Sequence, residues 1–271
     1  MYKKILLIFM CIFVFVSCSA SIISPNTKKY GIDVAQEDSA IMAQIKEHLE
    51  QSYKDKGYYE LVFIGIPKSK YSQATSISGM ILKEASKISA DNIIVDISNI
   101  DFQNYTVPAS MFAGNPDNKK TILKFIFPEN KIKVIESFAF SYLFYNLKEL
   151  KIPDSVITIN ARAFQLNYAL EKVVLGNNVQ TIEEDAFLYS TALTELTIPA
   201  SLKVIKDKAF SSSIKLTKLI YLGTLPNSIS VGKYVFTSAK FGTLILPNVD
   251  NINTSDWQYF LGGYFTDIRK E

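Results

Sequence analysis

Apolar side chains recur with a fixed period through the middle of this 271-residue chain. Four sets of positions repeat every 23 residues and keep the same phase relative to one another. They are Leu147, Leu170, Leu193 and Leu216; Ile152, Leu175 and Ile198; Ile159, Ile182 and Ile205; and Phe164, Phe187 and Phe210. A period of this length is typical of a small structural unit that is stacked many times. Because each unit is too short to bury its own apolar face, it buries that face against its neighbours, and the pattern predicts a solenoid.

The first third of the chain has a different pattern, in which helices alternate with strands. Apolar residues at helical spacing predict a first helix that is capped by Asp38 or Ser39, runs to about Asp55 and is ended by Gly57. The segments that follow predict a strand, a second helix and a second strand, at Tyr58–Ile66, Ser76–Ser89 and Asn92–Ser98. This order predicts a right-handed parallel crossover. We expect the helical part to cover the open edge of the solenoid.

Strand centres continue at similar intervals along the chain, near residues 63, 95, 125, 150, 173, 196, 220 and 244. This spacing predicts one continuous parallel sheet in a single α/β repeat fold with a helical N-terminal cap. Met111-Phe112 and Phe140 resemble earlier, degenerate copies of the repeated Ala-Phe position. After Leu216 the pattern becomes less regular and ends in an aromatic cluster, which we expect to close the far end of the core, at Trp257, Tyr259, Phe260, Tyr264 and Phe265.

The start of the chain has the composition of an export signal. Two lysines precede the apolar run Ile5–Val16, which is too short for a transmembrane helix because such a helix needs about 20 residues. Phe15-Val16-Ser17-Cys18 resembles the lipobox of bacterial lipoproteins, although Phe15 stands where that motif usually has leucine. The resemblance implies cleavage before Cys18 and lipidation of its thiol. The alternative is an ordinary secreted protein that is cut near Ser17–Ala20.

We therefore divide the chain into five predicted parts. They are a signal peptide (1–17), a lipidated tether (18–37), an α/β capping region with degenerate repeats (38–120), the repeats of about 23 residues (121–247) and an aromatic C-terminal cap (248–271). Both cysteines lie in the first 18 residues, so the processed chain would contain no disulfide bond.

Composition limits the classes of function. Hydrophobic residues make up 48% of the chain, which is enough for a packed core and argues against global disorder. The net charge of +3 is too small to indicate a nucleic-acid-binding protein. The single histidine, His48, lies off the apolar stripe of the first helix, and a solvated side chain is the expected interpretation. Most histidine-based metal and acid–base sites are thereby excluded.

No motif in the chain predicts catalysis or metal binding. The sequence has no nucleophile elbow, zinc-protease motif, paired CxxC or phosphate-binding glycine loop. The acidic run Glu183-Glu184-Asp185 lacks the glycine and the alternating Asp/Asn residues of a calcium loop. We therefore predict no catalytic residue, no metal and no cofactor, and an enzyme is kept only as the least favoured alternative.

The repeat unit resembles the BspA-type leucine-rich repeat family. Its pattern, L-x-x-L-x-[IL]-[PG]-x-x-[VL]-x-x-I-x-x-x-A-F, is carried in one copy by Leu147, Leu150, Ile152, Pro153, Val156, Ile159, Ala163 and Phe164. The match covers roughly Thr121–Pro247. It departs from the family where glycine often stands, at Asn160, Glu183 and Lys206, and nothing before Asp91 matches the repeat. The resemblance implies a right-handed leucine-rich-repeat solenoid with a parallel sheet along one face.

The resemblance also implies a bacterial surface protein that binds host matrix proteins or other cells. We accordingly expect a non-catalytic protein-binding or adhesion module. It would be monomeric, would bind no nucleic acid, and would be held at the cell surface or outer membrane by the lipid on Cys18. The alternative is a periplasmic structural lipoprotein without an external ligand. Fold resemblance alone does not decide between them.

Strand alternation predicts which repeat positions face outward. The predicted core positions are Leu150, Ile152, Ile159, Phe164, Leu175, Ile182, Phe187, Ile198, Ile205 and Phe210, with the phenylalanines in one stacked column. One outward ladder alternates in charge, which favours strand register and solubility, and consists of Lys124, Glu149, Lys172, Glu195, Lys218 and Thr243. The other becomes apolar towards its C-terminal end and consists of Ile126, Lys151, Val174, Thr197, Ile220 and Ile245.

The apolar end of this second ladder predicts a contact site for a protein partner, because contiguous exposed apolar area marks interaction surfaces. The residues of this predicted site are Val174, Thr197, Ile220 and Ile245. The alternative is that isoleucine and valine stand there only because they are good strand formers.

Overall fold

A computed structural model describes residues 31–115, 122–143 and 147–270. The predicted signal peptide, Cys18 and most of the predicted tether lie outside these residues.

Short parallel strands and a few helices make up the described part of the chain. The helices are α1 (Asp38–Lys56), α2 (Ile77–Lys87) and α3 (Ser255–Gln258), with 3₁₀ turns at Gln73–Thr75, Gln103–Tyr105 and Phe260–Gly262. The strands are β1 (Ile32–Asp33), β2 (Glu60–Gly65), β3 (Ile93–Ile100), β4 (Thr106–Val107), β5 (Ile122–Ile126), β6 (Val134–Ile135), β7 (Glu149–Lys151), β8 (Thr158–Ile159), β9 (Lys172–Val174), β10 (Thr181–Ile182), β11 (Glu195–Ile198), β12 (Val204–Ile205), β13 (Lys218–Tyr221), β14 (Ser230–Val231), β15 (Thr243–Ile245) and β16 (Asp267–Arg269).

These strands form three parallel sheets. The N-terminal sheet has the order β1-β2-β3-β5, the long-strand sheet β7-β9-β11-β13-β15-β16, and the short-strand sheet β4-β6-β8-β10-β12-β14. In the long-strand sheet Lys172 pairs with Glu195, and Glu195 pairs with Lys218, so successive strands are offset by the repeat period. The predicted parallel leucine-rich-repeat solenoid with a helical N-terminal part is confirmed. The one continuous sheet that the strand spacing predicted is, however, divided in two, because β5 is the edge of the N-terminal sheet and the long-strand sheet begins at β7.

The first helix packs its apolar stripe as expected but starts differently. Its N-cap is Glu37, and neither Asp38 nor Ser39 caps the helix as the sequence predicted. Gly57 ends the helix in the left-handed conformation, at φ 76°, which glycine adopts without steric cost. Ile41, Ile45 and Leu49 are fully buried, so the helix is held by its packing rather than by a side-chain cap.

The second helix is joined to the solenoid at its first turn. Ser76 caps it by accepting a hydrogen bond from the N–H of Gly79 at 3.0 Å. The same hydroxyl donates to the carbonyl of Ala113 at 2.6 Å, and the N–H of Ile77 donates to the carbonyl of Met111 at 2.7 Å. The start of the helix therefore closes one end of the stacked repeats.

The last residues of the predicted tether belong to the folded part of the chain. Ile32–Asp33 forms β1, which pairs with β2, and both Ile32 and Val34 are fully buried. A two-residue strand has too few positions to show an alternating pattern, so sequence periodicity could not reveal it.

A column of phenylalanine rings runs through the solenoid. The ten predicted core positions are at most 3% exposed. Parallel rings follow one another with centroids 4.8–5.5 Å apart and interplanar angles of 11° or less, in the order Phe112, Phe140, Phe164, Phe187, Phe210 and Phe236. The column therefore extends beyond the regular repeats in both directions.

The C-terminal cap buries part of the predicted aromatic cluster. Trp257, Phe260 and Phe265 are at most 2% exposed, whereas Tyr259 and Tyr264 are more than half exposed. Beyond them the chain adds β16 to the edge of the long-strand sheet. The sequence did not predict this strand.

Candidate functional site

The outward face of the long-strand sheet carries one ladder of side chains in continuous register. Each member pairs directly with the next across neighbouring strands, in the order Lys151, Val174, Thr197, Ile220, Ile245 and Arg269. The four residues of the predicted contact site thus lie side by side, about 4.8 Å apart from strand to strand.

The four residues differ in their exposure to solvent. Val174, Thr197 and Ile220 are half-buried, so each still presents part of its side chain to solvent. Ile245 is only 3% exposed, which corrects the expectation that it is available to a partner. It lies between Ile220 and Arg269, and the Arg269 side chain turns along the same face towards Asp267, with Nε 3.7 Å from Oδ2. The strand β16, which the sequence did not predict, therefore adds a neighbouring strand beside Ile245.

The charged ladder beside it forms an ion-pair cluster. Glu195 lies between two lysines, with Oε1 3.3 Å from Nζ of Lys172 and Oε2 3.0 Å from Nζ of Lys218. Burial raises the pKa of Glu195, but hydrogen bonds from Lys218 and Lys172 outweigh that effect and the net pKa lies below its ordinary value. The cluster holds three neighbouring strands, β9, β11 and β13, in register. It flanks the ladder that contains Val174, Thr197 and Ile220, whose next member, Ile245, is buried.

The two ladders begin later than the sequence suggested. Lys124 and Ile126 were expected to form their first rungs, but β5 pairs only with β3, through Ile94 and Asp96, and is not part of the long-strand sheet. A groove of about 650 Å³ lies where β5 approaches β7, and residues on both sides line it, including Lys124, Phe127, Glu129, Lys151 and Asp154. The sequence did not predict this groove, because no residue pattern marks the point at which one sheet ends and the next begins.

The described residues offer no arrangement for metal chemistry. No cluster of three or more His, Cys, Asp and Glu side chains that could hold a metal occurs among them. In the acidic run, Asp185 is buried and its Oδ2 lies 3.1 Å from Nε of Arg162, so its charge is paired within the repeats. Burial lowers the pKa of His48, an effect that the nearby Glu47 only partly offsets. Among these residues, every helix is too short or too polar to cross a membrane.

Comparison with known proteins places the repeats in a family. A model described as the BspA type leucine rich repeat region matches residues 105–242 in six copies, about half of the chain. No curated protein matches the sequence. A solved leucine-rich repeat protein from Bacteroides ovatus ATCC 8483 is similar at 14% identity with a TM-score of 0.41, over 78% of this chain. The alignment spans 65% of that protein, which is less than two thirds of its length.

Proposed function

The chain belongs to the BspA-type leucine-rich repeat family, and from this premise we propose that it is a cell-surface protein-binding module anchored by a lipid on Cys18. Members of this repeat family serve as protein-binding or structural modules and are typically exported, and this broad assignment supports the proposal. The lipid anchor on Cys18 and the adhesive role go beyond this broad assignment.

One observation carries the binding assignment. Val174, Thr197 and Ile220 form a half-buried, weakly polar strip in strict register, beside the Lys172–Glu195–Lys218 cluster. Paired strands limit the freedom of these side chains, so less conformational entropy is lost when a partner covers them. An apolar centre with a charged rim is the common arrangement of protein interfaces. Ile220 is the largest apolar side chain of this strip and is the expected anchor.

The binding face can be tested with one substitution and a matched control. Ile220→Lys should weaken binding to an immobilised basement-membrane extract by about thirtyfold, because an apolar anchor residue often contributes about 2 kcal/mol or more. Ile214→Lys is the control, since Ile214 is 48% exposed in a turn outside the sheet. If Ile214→Lys reduces binding while Ile220→Lys does not, the contact lies in the turns and the assignment of the sheet face is wrong.

Protease treatment of intact cells separates the proposed location from its alternative. Cleavage of the protein by an added protease, with periplasmic markers left intact, is the result expected for a surface module. Full protection would support a periplasmic structural lipoprotein and would contradict the surface role.

A further inference from the structure

Backbone hydrogen bonds join the turns that follow the short strands, and we call this stack the turn column. In each turn, three N–H groups at two-residue spacing donate to three carbonyls of the next turn. The N–H of Phe164, for example, donates to the carbonyl of Ala186 at 2.8 Å. The complete donor sets are Ser110, Phe112 and Gly114; Phe138, Phe140 and Tyr142; Arg162, Phe164 and Leu166; Asp185, Phe187 and Tyr189; and Lys208, Phe210 and Ser212.

The last turn has the same three donors and no acceptors. The N–H groups of Tyr234, Phe236 and Ser238 stand in the equivalent positions, and they donate to no other described residue. Tyr234 is 68% exposed, and Thr237 and Ser238 are exposed as well, so this edge faces solvent. The ring of Phe241 packs edge-on against the ring of Phe236, with centroids 5.1 Å apart, at the end of the phenylalanine column.

The opposite end of the turn column is closed. The carbonyls of Met111 and Ala113, which would face a preceding turn, accept hydrogen bonds from the N–H of Ile77 and the hydroxyl of Ser76. A second copy of this chain therefore has two of the complementary carbonyls already occupied at that end. Two copies meeting at their open ends would place donors against donors. Stacking of copies is thus disfavoured, and a different polypeptide is the better complement.

The last two repeats before the open end have an excess of positive charge. Residues 199–240 contain seven lysines and only one acidic residue, Asp207. An oxygen of that carboxylate accepts a hydrogen bond from the backbone N–H of Lys233 at 2.8 Å. Of the seven lysines, only Lys218 belongs to a salt bridge among the described residues. Lys233 and Lys240 are exposed on either side of the three donors in the sequence.

Apolar surface lies in the same last repeat. Val231 is 39% exposed, although the equivalent residues of the preceding short strands, such as Ile182 and Ile205, are fully buried. Leu225 is 64% exposed. β14 is the outermost strand of its sheet, so its side chains lack the cover that a further repeat would provide.

We propose that the open end of the turn column binds an extended acidic segment of a partner polypeptide. The backbone carbonyls of that segment, at two-residue spacing, accept the hydrogen bonds of Tyr234, Phe236 and Ser238. In the five preceding turns polypeptide carbonyls at this spacing occupy the equivalent donors, so the geometry is already that of a backbone acceptor. Addition of a peptide to an exposed backbone edge is a known mode of recognition. Acidic side chains of the segment pair with Lys233 and Lys240, and this surface is separate from the outward sheet face.

The test uses the full processed protein and two synthetic probes. One probe is a peptide of about ten residues that alternates valine with glutamate, and the other replaces every glutamate with lysine. We expect saturable binding of the acidic probe only. In NMR spectra the amide protons of Tyr234, Phe236 and Ser238 should shift downfield and exchange more slowly, because they gain carbonyl acceptors. The amides of Val174 and Thr197 on the sheet face should not change.

Charge-reversal variants provide the matched comparison. The double substitution Lys233→Glu with Lys240→Glu should lower the affinity for the acidic probe about tenfold or more, because both substitutions place like charges beside the bound peptide. Lys46→Glu with Lys131→Glu changes the net charge equally at exposed positions elsewhere and should leave the affinity unchanged. The proposal is overturned if the acidic probe shows no saturation up to about 1 mM, if both double variants weaken it equally, or if the protected amides lie outside residues 234–238.

Discussion

The rings of Phe187 and Phe210 lie almost parallel, with centroids 4.8 Å apart and an angle of 4° between their planes. Both residues are fully buried, and each occupies the same position in its repeat. The spacing matches the distance between neighbouring strands, because each ring is carried by one rung of the solenoid. Removing one ring would therefore leave a cavity inside a continuous stack.

We predict that Phe187→Ala lowers the free energy of unfolding by about 3–5 kcal/mol, since the cavity is enclosed by rings on both sides. Urea denaturation followed by circular dichroism measures this change. Lys215→Ala, at an exposed position of the adjacent repeat, should cost about 0.5 kcal/mol or less. Equal losses at the two positions would mean that the repeat register is wrong.

The burial of Ile245 leads to a contrast with its register partner Ile220. Ile245→Lys should destabilise the protein by about 2 kcal/mol or more, because an ammonium group would be placed in a covered position. Ile220→Lys should cost less than about 1 kcal/mol, because this side chain already reaches solvent. Denaturant midpoints for both variants make the comparison. A nearly unchanged midpoint for Ile245→Lys would show that Ile245 is not covered in solution.

The lowered pKa of Glu195 predicts a pH dependence of stability. Because its folded pKa lies below the ordinary value of 4.5, the stabilisation by Glu195 is complete well above that value and is lost as the pH falls through the folded pKa. Glu195→Gln should therefore flatten the decline of the melting temperature between about pH 5 and pH 3. The exposed Glu50→Gln is the control and should keep the wild-type profile. Identical profiles for all three proteins would contradict the ion-pair cluster.

Ser76 is predicted to couple the second helix to the solenoid. Ser76→Ala removes a helix cap and leaves the carbonyl of Ala113 without its hydroxyl partner, so we expect a loss of about 2–3 kcal/mol. Ser69→Ala, at an exposed position, should change stability by less than about 0.5 kcal/mol. The measurement is the free energy of unfolding in urea. A loss below 0.5 kcal/mol for Ser76→Ala would show that other groups close this end of the turn column.

Lipidation at Cys18 is predicted from the sequence alone. Cys18→Ser should abolish labelling by a radioactive fatty acid and release the protein from the membrane fraction, or leave it unprocessed. Each buried CH₂ contributes about 0.8 kcal/mol, so two or three acyl chains anchor a protein stably whereas one does not. A processed Cys18→Ser protein that stays with the membrane would contradict the assignment of the anchor.

The repeat period was sufficient to predict the solenoid, the phase of its repeats and the positions of its core. Stacked rungs lie in register, so each inward position must hold a side chain of similar size in every copy. That constraint is visible as a period, and it placed Phe164, Phe187 and Phe210 in a common set before any coordinate was known. The first helix was visible for a similar reason, because its buried residues share one face.

Tertiary structure decided which edges are paired and which side chains are covered. The break between β5 and β7, the strand β16 beside Ile245, and the N–H groups of Tyr234, Phe236 and Ser238 that no described residue accepts all depend on where another segment ends. A backbone N–H has the same chemical nature in every residue, so the sequence does not show which one finds an acceptor. Exposure likewise depends on neighbours that are distant in the chain. The repeats could therefore be predicted from their period, whereas the surfaces at their two ends depend on tertiary contacts.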